Sequence, residues 1–158
     1  MENERNSGPG APVPPTLIYV AGFVCGWWLD GRAPLWPGWE PPLVLEIVGW
    51  GKTIAGAGLF FWGLSTFARL RTGIMLQCAA TRVVDLAPYS WSRNPQYVAF
   101  SLIYIGSAFA TGLWWPLLLL PMVVRLLTVA VISREERYLR SRFGDTYDDY
   151  CRRVPRWI

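Results

Sequence analysis

Long apolar runs separated by short stretches rich in proline, glycine and charge dominate this chain. The first run covers residues 16–29 (TLIYVAGFVCGWWL), the second 43–68, the third 95–111 and the fourth 114–132. Runs of this length and hydropathy predict membrane-spanning helices. The expected fold is therefore an all-α integral membrane protein with about four transmembrane helices, a C-terminal helical hairpin turning at Gly112, and a short cytoplasmic helical tail. The first run is short enough to resemble a signal-peptide core, but no small-residue cleavage site follows it, so it reads as an uncleaved helix. Residues 1–15, rich in Pro, Gly and polar side chains, predict a disordered lead-in, leaving residues 16–158 as a single transmembrane domain.

Between the runs, residues 30–42 (DGRAPLWPGWEPP) are full of helix breakers and predict a loop. The second run carries Glu46 and Lys52 in its first half, and Gly49, Gly51, Gly56, Gly58 and Gly63 offer small residues for close helix approach. Residues 69–92 turn polar and basic, include Pro88, and predict another loop. The third helix is the shortest fit, since residues 96–111 span about 24 Å against a hydrocarbon core of roughly 30 Å. After the fourth run, residues 133–143 continue as helix. Gly144 stops it, Asp145 is placed to cap a second short helix through residue 152, and Pro155 ends that.

Composition supports the membrane reading: 53% of residues are hydrophobic and 16% charged, in a chain of one-domain length, 158 residues. Trp27, Trp28, Trp36, Trp39, Trp50, Trp114 and Trp115 sit at the ends of apolar runs, as an interfacial aromatic belt requires. Arg69, Arg71, Arg82 and Arg93 precede the hairpin and seven more arginines follow it, so the positive-inside rule places both segments, and the N-terminus, in the cytoplasm. The net charge of +4 serves topology; the basic residues adjoin apolar spans and do not predict a nucleic-acid surface. No histidine occurs, which excludes the usual zinc constellations and every imidazole-based acid/base mechanism. Cys25, Cys78 and Cys151 lack paired or metal-like spacing and read as reduced; no metal is expected.

Two segments carry more than helix grammar. Residues 88–97, PYSWSRNPQY, place Asn94 and Pro95 as N-cap and first helical residue, which backbone chemistry alone favours. That grammar leaves Tyr89, Arg93 and Tyr97 unexplained, as well as Glu135 and Glu136 at the cytoplasmic end of the fourth helix. PYSWSRNPQY resembles the Pro-Tyr, short gap, Arg-His-Pro-x-Tyr motif of the isoprenylcysteine carboxyl methyltransferase and phospholipid methyltransferase superfamily. The tail EERYLRSRFGDTYDDYCRRVPRW is similar to its Glu-Glu, Phe-Gly, Tyr-x-x-Tyr and Val-Pro-Arg pattern, in the same order. Gly56-Ala57-Gly58 resembles the Gly-x-Gly upstream of the Glu-Glu pair. Together these segments extend over residues 50–157.

The resemblance implies a membrane methyltransferase whose S-adenosyl-L-methionine (SAM) lies near the cytoplasmic face. Tyr89, Arg93, Asn94, Pro95 and Tyr97 would line the cofactor pocket, with Glu135 and Glu136 opposite and Gly56 and Gly58 allowing backbone approach. Asn94 replaces the family's commoner histidine, and Val131 stands where many members have an arginine. The chemistry is compatible: a sulfonium, an ammonium and a carboxylate call for acceptors such as Glu136, aromatic faces such as Tyr97 and a donor such as Arg93. Methyl transfer is an in-line displacement that depends on alignment and exclusion of water, so it can proceed without histidine. The implied partners are a lipophilic or lipid substrate entering from the membrane, either a prenylated cysteine carboxylate or a phospholipid amine, and the membrane lipids themselves.

Arg125, deep in the fourth run, is a second candidate catalytic residue beside Glu136. The two are eleven residues apart, about three helical turns, so they are expected to share a face. Arg125 would then anchor an anionic substrate or the cofactor carboxylate; snorkelling, or a structural pair with Glu46 or a carbonyl, accounts for it equally well. Arg137, Arg140 and Arg142 read as a solvated, headgroup-facing surface, while Tyr147 and Tyr150 either pack the last helix or touch cofactor. Two other functions fit parts of the pattern. An NAD(P)H-dependent sterol or steroid reductase shares an Arg-x-Pro-x-Tyr and Tyr-x-x-Tyr tail, though such chains are usually longer. A non-enzymatic scaffold binding anionic lipid would explain the arginine-rich tail but not the 88–97 motif.

Overall fold

A computed structural model describes residues 13–70 and 83–158; the expected lead-in up to residue 12, and Arg71, Cys78 and Arg82 of the expected loop, lie outside the described residues. The described residues are helical with no strand. Helices α1 (Pro15–Arg32), α2 (Leu43–Leu70), α3 (Pro95–Thr111) and α4 (Trp114–Leu127) are followed by a π-helical segment (Thr128–Ile132), then α5 (Ser133–Phe143) and α6 (Asp145–Arg153). Among the described residues, two helices are long and apolar enough to cross a membrane: Leu43–Arg69, and the continuous rod Trp114–Phe143. The fourth helix continues through residues 133–143, as expected, and carries the Glu135–Glu136 pair on this extension. The first starts at Pro15, a residue favoured at the first helical position because its missing N–H has no intrahelical partner there.

α2 and α3 run antiparallel in the most extensive contact of the fold. Gly49, Gly56 and Gly63 recur every seven residues on the α2 face that meets α3. A Cβ at Gly49 would lie 2.5 Å from Ala110 N, and one at Gly56 2.7 Å from Ala99 O. Gly106 of α3 closes the seam from the other side, where a Cβ would lie 2.5 Å from Gly49 O. Gly51 and Gly58 have nothing within 4 Å of such a Cβ, so only part of the expected glycine set packs. Without a side chain in the seam the backbones approach closely, which is how apolar helices associate where lipid removes the hydrophobic driving force.

α1 packs antiparallel against α4, with Gly26 beneath Pro116 at one end. At the other end the core gathers Ile18 and Tyr19 of α1, Tyr97 and Tyr104 of α3, Val123 and Leu127 of α4, and Val131 and Ile132 of the π segment. The Tyr19 hydroxyl donates to the Tyr97 carbonyl at 3.0 Å, tying α1 to the first turn of α3. Trp36, Trp39, Trp114 and Trp115 gather at the opposite end. Trp36 and Trp39 lie 5.3 and 5.1 Å from the Trp114 ring, and Trp115 Nε1 donates to Ala33 O at 2.7 Å. Gly112 ends α3 in the left-handed region at φ 71°, which allows the tight turn into α4. Leu43, Val44, Ile47, Ile54 and Phe61 of α2 and Leu118, Met122, Leu126 and Val129 of the rod are exposed, forming an apolar outer surface.

Candidate active site at the helix ends

The start of α3, the start of α5 and the last described residues converge at the end of the bundle away from the Trp36–Trp39–Trp114 cluster. Pro95 is the first residue of α3, as its fixed φ favours. Asn94 precedes it but does not cap with its side chain, contrary to expectation. Its Nδ2 donates instead to the Arg156 carbonyl at 2.9 Å, while Ser92 Oγ accepts from the Asn94 N–H at 3.1 Å. Asp145 likewise makes no capping bond, and Gly144, at φ 50°, stands at the start of α6.

Glu136 is the centre of this cluster. Its Oε1 accepts from Arg93 Nη1 at 3.1 Å and from Arg156 Nε at 2.9 Å, and its Oε2 from Arg156 Nη2 at 2.6 Å. The side chains of Arg93 and Glu136 are 16% and 14% exposed, so this pair is far more shielded than an ordinary surface ion pair. Arg156 is 40% exposed and forms the outer wall. Hydrogen bonding to Glu136 raises the pKa of the Arg156 guanidinium above its ordinary value, so it stays charged. Arg93 Nη1 also lies 3.0 Å from Cys151 Sγ, and Arg93 Nε is buried with no hydrogen-bond partner among the described residues.

Beside this carboxylate, Glu135 accepts from the buried Tyr97 hydroxyl at 2.9 and 3.1 Å. Tyr89, also buried, receives Tyr150 on its main-chain carbonyl at 2.7 Å, and its hydroxyl lies 3.4 Å from Gln96 Nε2. Tyr147, Tyr150 and Val154 form a small core that seats α6, and burial raises the pKa of both tyrosine hydroxyls. Their packing role is the one seen here. Arg140, on the expected solvated surface, pairs with Asp148 at 2.7 Å, and Arg153 pairs with Asp85 at 2.9 Å.

The structure thus brings together Tyr89, Arg93, Asn94, Pro95, Tyr97, Glu135 and Glu136. Gly56 is covered by α3, and Gly58 points to open space on another side of α2. The common face expected for Arg125 and Glu136 does not form: Arg125 is exposed on α4, whereas Glu136 faces inward. The physical reason is the π segment, whose wider turn takes an extra residue and rotates everything after it by roughly a quarter turn. Arg125→Met is accordingly expected to leave turnover within about twofold of wild type, since single exposed changes away from a site have small effects; a loss beyond tenfold in a methyl-transfer assay would restore Arg125 to the site. Arg156, Cys151 and Ser92 were not singled out as site residues from sequence. The Val-Pro-Arg segment was the only signal for Arg156.

An ordered set of one shielded carboxylate, two guanidiniums and a hydroxyl-bound second carboxylate suits a small zwitterionic ligand. Arg93 Nε is an unused buried donor, and Glu136 retains acceptor capacity. These features fit the carboxylate and ammonium of an amino-acid-bearing methyl donor.

The chain is 36% identical over 70 residues to the protein-S-isoprenylcysteine O-methyltransferase of Schizosaccharomyces pombe, covering 44% of this chain and 30% of that one. It is 30% identical over 137 residues to the cobalt-zinc-cadmium resistance protein CzcN of Cupriavidus metallidurans, covering 86% of this chain and 58% of the relative. The chain thus spans less than two thirds of either relative's length. No solved structure matches. Residues 47–146, from the first turns of α2 to the start of α6 and including both the 88–97 motif and the Glu135–Glu136 pair, match the phospholipid methyltransferase family, and the chain belongs to that family.

Proposed function

We propose that this protein transfers a methyl group from SAM to a lipophilic acceptor embedded in the membrane. The observation that carries the reading is the convergence of Arg93, Asn94, Glu136 and Tyr97 with Glu135 at one end of the bundle, from two sequence segments about forty residues apart. Arg93 and Glu136 would hold the charged amino-acid end of the cofactor, and Tyr89 and Tyr97 would wall its less polar part. The bound cofactor supplies an activated methyl on sulfur. The protein's part is to align that methyl with the acceptor and keep water away. Gly58 and Arg125 are left out of this site on geometric grounds, and Gly56 serves the helix seam.

In the same reading all four long helices cross the bilayer, residues 16–158 form one domain, and the arginine-rich ends face the cytoplasm. The apolar outer surface of α2 and of the rod would then meet lipid, and an acceptor could reach the site sideways while SAM enters from the aqueous phase. The acceptor classes are a prenylcysteine carboxylate and a phospholipid amine, the substrate types the relatives suggest.

Thermal unfolding in detergent tests this directly. At a ligand concentration about one hundred times Kd, binding to the native state adds about 2.7 kcal/mol. SAM and S-adenosylhomocysteine are expected to raise the midpoint and NADPH to leave it unchanged. Stabilisation by NADPH alone would establish the reductase reading instead, and no response to any of the three would leave the lipid scaffold.

A further inference from the structure

The last residues of the chain, beyond the family match at 47–146, do something specific at this site. Arg156 touches both halves of it, the 88–97 segment and Glu136. Its guanidinium binds Glu136 through two nitrogens, at 2.9 and 2.6 Å, and its carbonyl accepts from Asn94 Nδ2 at 2.9 Å and Ser92 Oγ at 3.4 Å. The neighbouring Pro155 carbonyl accepts the Arg93 N–H at 2.9 Å, and Trp157 packs against the core cluster that contains Ile18 and Tyr19. The chain end is therefore anchored on both sides of Arg156, so its side chain is held against Glu136 by backbone that cannot easily swing away.

Counting acceptor sites shows what this does. A carboxylate offers about four lone-pair positions, two on each oxygen. Oε1 of Glu136 already receives two donors, from Arg93 and Arg156, and Oε2 receives one, from Arg156. One position remains, on Oε2. A planar guanidinium binding side-on also fixes the carboxylate plane, which a lysine ammonium could not.

We propose that Arg156 is a positioning residue: it saturates Oε1, sets the plane of Glu136, and presents the remaining Oε2 lone pair to the ammonium group of the ligand. This rests on the methyl-donor reading above and extends it to a residue outside the matched family segment.

The test measures S-adenosylhomocysteine affinity by titration calorimetry on the full chain in detergent, with melting curves as the folding control. Removing a bidentate charge-assisted contact is expected to weaken binding at least about tenfold in Arg156→Gln, and less in Arg156→Lys, which keeps the charge but not the fork. In Arg156→Ala, millimolar methylguanidinium is expected to recover part of the affinity. A merely structural loss would not respond to it. Arg153→Gln, which removes a neighbouring exposed ion pair, should bind as wild type does. Wild-type affinity in Arg156→Gln, or a loss in Arg156→Ala that methylguanidinium does not reverse, overturns the positioning role while leaving the methyl-donor reading in place. Failure of the wild type to bind either SAM or S-adenosylhomocysteine overturns both.

Discussion

Glu136→Ala is expected to abolish SAM binding while the protein stays folded. The carboxylate is the sole acceptor shared by Arg93 and Arg156 in the cluster, and its remaining lone pair is the position assigned to the ligand's ammonium. Its removal leaves the Arg93 guanidinium, 16% exposed, without a counter-charge. Breaking a fully buried pair costs about 3–5 kcal/mol and an exposed one less than about 1 kcal/mol. With Arg156 at 40% exposure, the mixed case falls at roughly 1–3 kcal/mol, below the 5–15 kcal/mol typical of a folded domain. Calorimetric titration with SAM should then show no heat of binding, and circular dichroism should show native helix content with a modestly lower melting point. Wild-type affinity in this variant would remove Glu136 from the site.

The largest effect on stability is expected from Gly106→Val. A Cβ there would lie 2.5 Å from Gly49 O, 2.5 Å from Thr53 Oγ1 and 2.7 Å from Thr53 N, and two of those atoms are backbone that cannot rotate aside. α2 and α3 would have to separate along their seam. In apolar surroundings this seam is held mainly by close packing, so the separation forfeits most of its attraction. Overpacking costs about 1–3 kcal/mol in ordinary cores and more when backbone is in the way, which corresponds to a fall of at least about 5 °C in melting temperature for a chain of this size. Gly51→Ala and Gly58→Ala are the controls. With nothing within 4 Å of the added methyl, each should leave the melting temperature unchanged or slightly raised. Equal losses at all three positions would mean that the seam is not what stabilises the helix pair.

The seam and the site divide differently between sequence and structure. Apolar run length placed α2 and α3 closely, the breakers at residues 30–42 and 112 separated the helices, and Gly144 marked the break between α5 and α6. All of these are local properties of the chain, set by hydropathy and by the backbone freedom of single residues. The same held for the motif residues Arg93, Asn94, Glu135 and Glu136, whose types already implied a charged, hydrogen-bonded site.

What each of those residues binds was not legible. Asn94 reads as a helix cap, and only the fold shows its amide on the Arg156 carbonyl, 62 residues away. Five glycines looked alike, and the seven-residue spacing of Gly49, Gly56 and Gly63 acquired meaning only against the α3 backbone. Arg125 and Glu136 lie three turns apart by count, yet the π segment between them rotates one away from the other. The sequence by itself determined the helices, their breaks and the residue types at the site. The tertiary structure alone decided partners, because contact across 20 to 62 residues depends on helix rotation and register, and a single wide turn changes both.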